Sequence, residues 1–266
     1  MRAEGPTFLP CHFGEWLQGR LGQQGPLALV TLVPRGVALT AWRSPARGLA
    51  CHAIGHGALP PAGLARFGRA LGPVQGRTLL RLPYPPGMGT GMSTAGLLAV
   101  AGAGFAPEAL ARACIAAEGA SDPLMYPAPA QLLWAPRMGQ VLGVLPPQPR
   151  AHLLAGFWGP PRPTRPDDQD YDDISDLVMA WQAGGDLAHC AALASESARR
   201  CLARRGPLGD PTEALACDLG ALGFAISHSG AARALIFAPG KVPTQAVARL
   251  REAGLRGVHR LVTCGA

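Results

Sequence analysis

A glycine-rich loop between a predicted strand and a predicted helix is the feature that most constrains this chain. The strand covers residues 77–83, the loop runs from Pro85 to Ala95, and an apolar segment follows at residues 96–101. A helix start leaves backbone N–H groups unpaired and carries the positive end of the helix dipole. Because glycines let a phosphate come close to the backbone, the segment predicts a nucleotide phosphate-binding loop.

The spacing of this loop fits neither of two common phosphate-binding motifs. A Walker A loop ends in a lysine followed by serine or threonine, and no lysine lies in this loop. A dinucleotide-binding fingerprint needs G-x-G-x-x-G directly after the strand, and Gly87-x-Gly89-x-Gly91 departs from that pattern. Taken alone, the loop leaves a plain connection open as the alternative to a binding site.

The composition is that of a globular protein. Of the 266 residues, 48% are hydrophobic and 15% charged, which excludes a disordered chain. The polar start at residues 1–6 and the short apolar runs predict neither a signal peptide nor a membrane span. Seven scattered cysteines, none in C-x-x-C spacing, predict free thiols and a cytoplasmic location.

The formal net charge of +7 comes almost entirely from arginine, since Lys241 is the single lysine. Such a field attracts anions, but the arginines are dispersed and have no interleaved aromatic residues, so nucleic-acid binding is not expected. Six aspartates lie within residues 167–176, which contain no arginine or lysine. We expect this acidic block to be a solvated helix start, with a substrate lid as the alternative.

Mixed helix and strand patterns predict the α+β class. Strands are expected at residues 27–33, 36–42, 77–83, 151–157, 224–227, 234–237 and 258–262, with a hairpin over 129–145. Helices are expected at residues 61–71, 107–119, about 171–184, 186–204, 211–222 and 243–253. The proline-rich linker 146–149 predicts two domains, 1–148 and 149–266.

Three further segments carry chemistry that agrees with the loop. Residues 10–19 contain Glu15 and Gln18, Glu118 stands four residues before Asp122 at a predicted helix end, and residues 227–230 form a small polar turn after a strand. Each segment alone reads as a turn or a cap. Together with the loop they provide a phosphate cradle, carboxylates and a second small-residue loop, which are the groups that phosphoryl transfer needs.

The chain resembles the GHMP kinase superfamily on these motifs. The family motif P-x-x-x-G-x-G-S-S-A is matched from Pro85 to Ala95, apart from Met92, which replaces the first serine. Within the superfamily the chain is most similar to the L-threonine kinases of cobalamin biosynthesis. Their P-x-x-x-G-E-L-x-Q-G segment matches residues 10–19 with Trp16 for leucine, their E-x-x-x-D element matches Glu118 and Asp122, and their A-H-S-G element matches residues 227–230.

This resemblance implies a two-lobed α+β fold: an N-terminal lobe with a mixed sheet and helices, a C-terminal ferredoxin-like lobe, and the site in the cleft between them. It implies ATP and Mg²⁺ as cofactors, a small-molecule acceptor, Asp122 as catalytic base, Ser93 at the phosphates or the metal, and Glu118 as a metal ligand. Glu15, Gln18 and His228 are the implied acceptor-binding residues. The implied ATP-binding residues are Pro85, Gly87, Gly89, Thr90, Gly91, Met92, Ser93, Thr94, Ser229 and Gly230.

Several alternatives stay open at this point. The acceptor could be homoserine or an isoprenoid alcohol in place of L-threonine. Met92 removes a hydroxyl from the motif, which prompts the alternative of a non-catalytic nucleotide-binding regulator. The oligomeric state is also open, with a homodimer as one option.

Overall fold

The computed structural model describes residues 5–57, 59–162 and 165–263. Cys264 and the first four residues, which entered the predictions above, lie outside the described residues, and the six described cysteines are free thiols.

The strands are β1 (Thr7–Pro10), β2 (Glu15–Arg20), β3 (Leu27–Thr31), β4 (Ala38–Ser44), β5 (Leu49–Ile54), β6 (Gly76–Arg81), β7 (Leu132–Ala135), β8 (Gln140–Val144), β9 (His152–Phe157), β10 (Gly223–Ile226), β11 (Ala232–Phe237) and β12 (Arg256–Val262). The helices are α1 (Pro61–Leu71), α2 (Met92–Ala101), α3 (Pro107–Glu118), α4 (Ser175–Gln182), α5 (Leu187–Arg205), α6 (Thr212–Asp218) and α7 (Ala246–Glu252).

A four-stranded sheet in the order β1-β4-β6-β5 forms one part of the molecule. Its neighbours run antiparallel except β5 and β6, which are parallel. Helix α2 packs beside this sheet, and nine of its ten residues are buried. A helix that is apolar on every side has no face suited to water, so it becomes the central helix of this core. The N-terminus of α2 is thereby held in one place.

An eight-stranded sheet in the order β12-β9-β11-β10-β2-β3-β7-β8 forms the other part. Its last four strands in the chain, β9 to β12, occupy the order β12-β9-β11-β10 and run antiparallel. Helices connect β9 to β10 and β11 to β12. This β-α-β-β-α-β arrangement is the ferredoxin-like pattern, as the sequence resemblance implied.

The larger sheet contains strands from both sides of residue 148, the predicted domain boundary. Strand β10 adjoins β2 through the pair Ile226 and Glu15. The side-chain amide of Gln18 donates a hydrogen bond to the carbonyl oxygen of Ile226 at 3.0 Å. One continuous sheet therefore joins the two segments, and the division at residue 148 stays a prediction.

Local predictions differ from the structure mainly around the acidic block. Helix α4 begins at Ser175, not near residue 171, so most of the block precedes the helix. The prediction of a solvated helix start holds for part of the block, since Asp173 and Asp176 are exposed at the start of α4. The sequence did not indicate that four of the carboxylates pair with arginines near the end of α5. Arg204 contacts Asp170 and Asp172, Arg205 contacts Asp168, and Arg200 contacts Asp176.

Strands β1, β2 and β5 were not expected from the sequence. Strand β2 is buried on both faces, so its side chains show no alternation of polar and apolar residues to reveal it. The remaining helices and strands lie within a few residues of their predicted bounds. None of the helices in the described part of the chain is long and apolar enough to cross a bilayer.

Candidate active site

The glycine-rich loop ends at the N-terminus of α2, where three backbone N–H groups are available. Gly91 caps the helix with a left-handed backbone, φ +67°. The first N–H bond within the helix is donated by Ala95 to Gly91 at 2.9 Å. The N–H groups of Met92, Ser93 and Thr94 therefore have no acceptor inside the helix, and its first turn carries no acidic residue. This is the arrangement in which a helix binds an anion.

The turn at residues 227–230 packs directly on the glycine loop. The N–H groups of Ala231 and Ala232 donate to the carbonyl oxygen of Met88 at 3.1 and 2.9 Å. Gly89 has φ +79°, and a Cβ atom there would lie 2.2 Å from Cβ of Ser227. At Gly230, φ is +101° and a Cβ atom would lie 2.6 Å from N of Gly89. Only glycine fits at these two contacts, so the two loops form one rigid cradle.

Two carboxylates face the start of α2. Helix α3 ends at Glu118 because Gly119 takes the left-handed conformation, and the chain then turns back toward the loop. The hydroxyl of Ser93 donates a short hydrogen bond to Glu118. The hydroxyl of Thr94 donates to Oδ2 of Asp122 at 3.0 Å, and the N–H of Asp122 donates to the same hydroxyl at 3.3 Å. Each hydroxyl at the helix start is therefore matched to one carboxylate.

His12 completes the site, and the sequence analysis did not single it out. Its Nε2 lies 3.4 Å from Oδ1 of Asp122 and its Nδ1 lies 3.6 Å from Oε1 of Glu15. Burial of His12 favours the neutral ring, but the charge of Asp122, aided by Glu15 where that group is ionised, outweighs burial and raises the pKa of His12 to about 9. His12 is therefore cationic at neutral pH. Its position three residues before Glu15 was the only signal for it in the sequence.

The carboxyl groups differ in their pKa values. Burial opposes ionisation of Asp122, but His12 and the hydrogen bond from Thr94 lower its pKa below the ordinary value. Burial raises the pKa of Glu118 to about 7 and that of Glu15 to about 8. Two neighbouring acids whose pKa values are pushed apart are typical of acid–base sites. Asp122 is thus the ionised carboxylate at neutral pH.

Most of the predicted site residues line a cavity of about 90 Å³. It is lined by Glu15, Gly87, Gly89, Thr90, Gly91, Met92, Ser93, Thr94, Glu118, Asp122, His228 and Ser229. Gly230 lines a second cavity next to it. Pro85 and Gln18 line neither cavity, and the Gln18 side chain is used in the β2–β10 contact instead.

Met92 does not place a thioether among the phosphate-binding groups. Its side chain extends from the first residue of α2 into the hydrophobic core, and its sulfur lies 3.7 Å from Sγ of Cys11. The backbone N–H of Met92 stays at the open helix start. The substitution therefore removes one hydroxyl without blocking the cradle.

The donor set suits a magnesium ion held jointly by protein and phosphate. Glu118, Asp122 and the hydroxyls of Ser93 and Thr94 are oxygen donors of the kind that Mg²⁺ prefers. Mg²⁺ commonly uses one or two carboxylates together with substrate phosphates, not a full protein cage. Consistent with this, the described residues contain no cluster of three or more His, Cys, Asp or Glu side chains able to hold a metal alone.

Comparisons with known proteins identify the fold. No protein-family model matches the sequence, and no curated protein matches it either. Solved structures do match over nearly the whole chain. A structure described as a phosphotransferase related to the CoA biosynthesis pathway has a TM-score of 0.64 at 15% identity, covering 98% of this chain and 96% of that one.

Two further structures agree with it. Homoserine kinase from Cytophaga hutchinsonii has a TM-score of 0.62 at 15% identity, with 98% of this chain and 94% of that chain covered. Mevalonate kinase from Methanococcus jannaschii has a TM-score of 0.64 at 8% identity, with 98% of each chain covered. At these identities the likeness concerns the fold. The chain has the two-lobed α+β fold of the GHMP kinases, which confirms the predicted fold class.

Proposed function

We propose that this chain is a small-molecule kinase that transfers the γ-phosphate of ATP to an alcohol hydroxyl. The observation that carries the proposal is the set of paired groups at the start of α2: Ser93 with Glu118, and Thr94 with Asp122 beside His12. A cradle for phosphate oxygens, an acidic group for the metal ion and a second one to orient or deprotonate the acceptor hydroxyl are groups that in-line phosphoryl transfer uses.

Each group has a role in this proposal. The N–H groups of Met92, Ser93 and Thr94 hold phosphate oxygens, and Ser229 approaches them from the second loop. Glu118 and Ser93 are the residues that would hold Mg²⁺, which when bound neutralises the charge of the phosphates. Asp122 accepts the proton of the acceptor hydroxyl while that oxygen bonds to the γ-phosphorus and the bond from phosphorus to the ADP oxygen breaks.

We propose L-threonine as the acceptor, giving O-phospho-L-threonine for adenosylcobalamin biosynthesis. The support is the ordered likeness of residues 10–19, Glu118 with Asp122, and residues 227–230 to the L-threonine kinases. Homoserine is the second candidate, since a homoserine kinase is among the similar structures. The alternative of a non-catalytic regulator rests on the hydroxyl that Met92 lacks; burial of the Met92 side chain in the core leaves the cradle open but does not restore that hydroxyl.

The test is turnover with a panel of acceptors. Purified protein is incubated with ATP, Mg²⁺ and L-threonine, L-homoserine or mevalonate, and ADP release is measured against a blank without acceptor. We expect release with L-threonine, and a fall in kcat of roughly 100- to 10,000-fold for Asp122→Asn with the Kd for ATP unchanged. Glu252→Gln, at an exposed position on α7, serves as the matched control.

Two outcomes contradict the proposal. Absence of ADP release with every acceptor rules out kinase activity toward this panel. Undiminished turnover in Asp122→Asn rules out Asp122 as the base. Release with L-homoserine but not L-threonine keeps the kinase and changes the acceptor.

A further inference from the structure

A second cavity of about 530 Å³ adjoins the first one, and Arg137, His228 and Ser229 line both. Its volume is in the range of small-molecule binding sites. Among its described lining residues are five arginines and a single carboxylate, namely Arg137, Arg162, Arg165, Arg205, Arg233 and Asp168. A concave surface with this excess of one sign attracts ligands of the opposite charge.

Three of these arginines already have carboxylate partners. Arg233 is buried and pairs with Asp210 at 2.7 Å, and Arg205 pairs with Asp168. Arg165 lies 3.5 Å from Asp167 at the exposed side. In the part of the chain that the structure describes, Arg137 and Arg162 form no ion pair. The cavity therefore keeps uncompensated positive charge.

Within the described ranges of the chain, the guanidinium of Arg137 has a hydrogen-bond partner at one nitrogen and none at the other two. Its Nη2 donates to the carbonyl oxygen of Arg165 at 2.7 Å. Its Nε and Nη1 are buried and have no hydrogen-bond partner among the described residues. A buried donor without a partner costs free energy, and more so when it is charged. A guanidinium binds a carboxylate or phosphate through two parallel hydrogen bonds, donated by Nη1 and Nη2 or by Nε and Nη2, so the two nitrogens of Arg137 without a partner leave donors for such a ligand.

The wall next to Arg137 is rigid. The rings of His228 and Tyr171 stack with centroids 4.3 Å apart and planes 2° apart. The guanidinium of Arg205 lies 4.1 Å from the centroid of the Tyr171 ring. Both ring nitrogens of His228 are buried and lack a hydrogen-bond partner among the described residues. The site thus has a preformed wall with unused polar groups, which is the arrangement of a ligand site and not of a packed core.

We infer that this cavity binds the acceptor alcohol through an oxyanion group, a carboxylate or a phosphate, held by the guanidinium of Arg137. The inference rests on the proposed kinase function. Because Arg137 lines both cavities, an acceptor anchored there has its remaining atoms next to the cavity that contains Asp122. The charge of the acceptor then becomes a determinant of specificity, and a neutral alcohol of the same shape is a poor substrate.

The first experiment compares acceptors with and without an oxyanion group on the wild-type enzyme, so it does not depend on any variant folding. L-Threonine is compared with L-threonine amide, and glycerol 3-phosphate with glycerol. We expect kcat/KM to be roughly 10- to 100-fold higher for the member that carries the oxyanion in at least one pair. A preference in the first pair identifies a carboxylate ligand, and a preference in the second identifies a phosphate. Equal values within both pairs overturn the inference.

The second experiment removes the guanidinium. Arg137→Gln is expected to lower kcat/KM for the acceptor that carries the oxyanion by about 10- to 100-fold, while the rate with its partner lacking the oxyanion and the Kd for ATP stay unchanged. Arg137→Lys keeps the charge but loses the planar guanidinium and its several donors, so it is expected to recover only part of the loss. Arg112→Gln, at an exposed position on α3, is the matched control. A weaker Kd for ATP in Arg137→Gln would assign the cavity to the nucleotide and overturn the inference.

A binding measurement separates this inference from the kinase proposal. Calorimetric titration of the wild-type protein with L-threonine, inorganic phosphate and pyrophosphate needs no turnover. Binding of at least one of them that is lost in Arg137→Gln supports the anion site even if no acceptor is phosphorylated. Failure of all three to bind, with ATP turnover intact, overturns the anion site and leaves the kinase proposal standing.

Discussion

At the scale of single residues, the charge of His12 controls the chemistry of Asp122. His12 is buried between Asp122 and Glu15, and the three groups titrate as one set. The cationic imidazole lowers the pKa of Asp122, so the carboxylate is ionised throughout the neutral range. In the proposed reaction His12 would act through Asp122, and we therefore expect it to be a positioning residue.

Replacing His12 is expected to move the acidic limb of the pH–rate profile. In the wild type the part of the limb that Asp122 contributes lies below the ordinary pKa of an aspartate, because the pKa of Asp122 is lowered. In His12→Gln the cation is gone and burial dominates, so the pKa of Asp122 rises and activity is lost at a higher pH. His12→Lys keeps a positive charge and should retain more of the wild-type profile. Measurement of kcat from pH 4 to 8 tests this, and superimposable profiles for His12→Gln and wild type would contradict it.

At the scale of the elements, the glycine loop is held by close backbone contacts more than by side chains. The carbonyl oxygens of Gly89 and Thr90 accept hydrogen bonds from the N–H groups of Gly14 and His12, each at 3.2 Å. Together with the bonds to Met88, these contacts tie the loop to both neighbouring segments. A loop fixed in this way needs little reorganisation when a phosphate binds.

Alanine substitutions at Gly89 and Gly36 separate backbone strain from crowding. Both residues have a left-handed backbone, φ +79° at Gly89 and φ +80° at Gly36, but a Cβ atom at Gly36 meets nothing within 4 Å. Gly36→Ala is expected to lose about 1–2 kcal/mol of unfolding free energy and to keep its affinity for ATP. Gly89→Ala should lose more stability and also bind ATP more weakly, since Ser227 must move. Denaturant unfolding and ATP titration measure both effects, and equal behaviour of the two variants would refute the role of crowding.

At the scale of the whole molecule, the eight-stranded sheet joins the ferredoxin-like lobe to the rest of the chain. The contact between β2 and β10 is short, and it includes the hydrogen bond from Gln18 to Ile226. The backbone N–H of Gln18 also donates to the hydroxyl of Ser197 on α5 at 2.8 Å. Gln18 thus connects three elements, which explains its burial better than contact with an acceptor does.

Gln18→Met is expected to lower stability and to leave the KM for the acceptor unchanged. The carbonyl oxygen of Ile226 loses its partner in the interior, which costs about 1–3 kcal/mol. Gln23→Met, at an exposed position between β2 and β3, provides the control. Thermal unfolding followed by far-UV and near-UV circular dichroism measures the effect. A higher KM without a change in Tm would instead favour the acceptor-binding role predicted from the sequence.

The sequence by itself predicted the fold class of the protein and the segments that meet at its candidate site. The glycine loop, the start of α2 and the carboxylates at the end of α3 could be predicted because short-range rules govern them: glycine conformations, helix termini and residue spacing. The tertiary structure alone decided what His12, Arg137 and Gln18 contact. Apart from Glu15 beside His12, their partners lie far away in the chain, and burial sets their charge and unused hydrogen-bonding capacity.

The acidic block shows the same division. Its charge was plain from the sequence, but its partners are arginines of α5 that lie 24 to 37 residues further along the chain. Met92 departs from the family motif in the sequence, and the structure shows that its side chain points into the hydrophobic core. Local sequence constrains the backbone of the phosphate cradle, whereas the direction of each side chain, and with it the electrostatics of the site, depends on long-range packing.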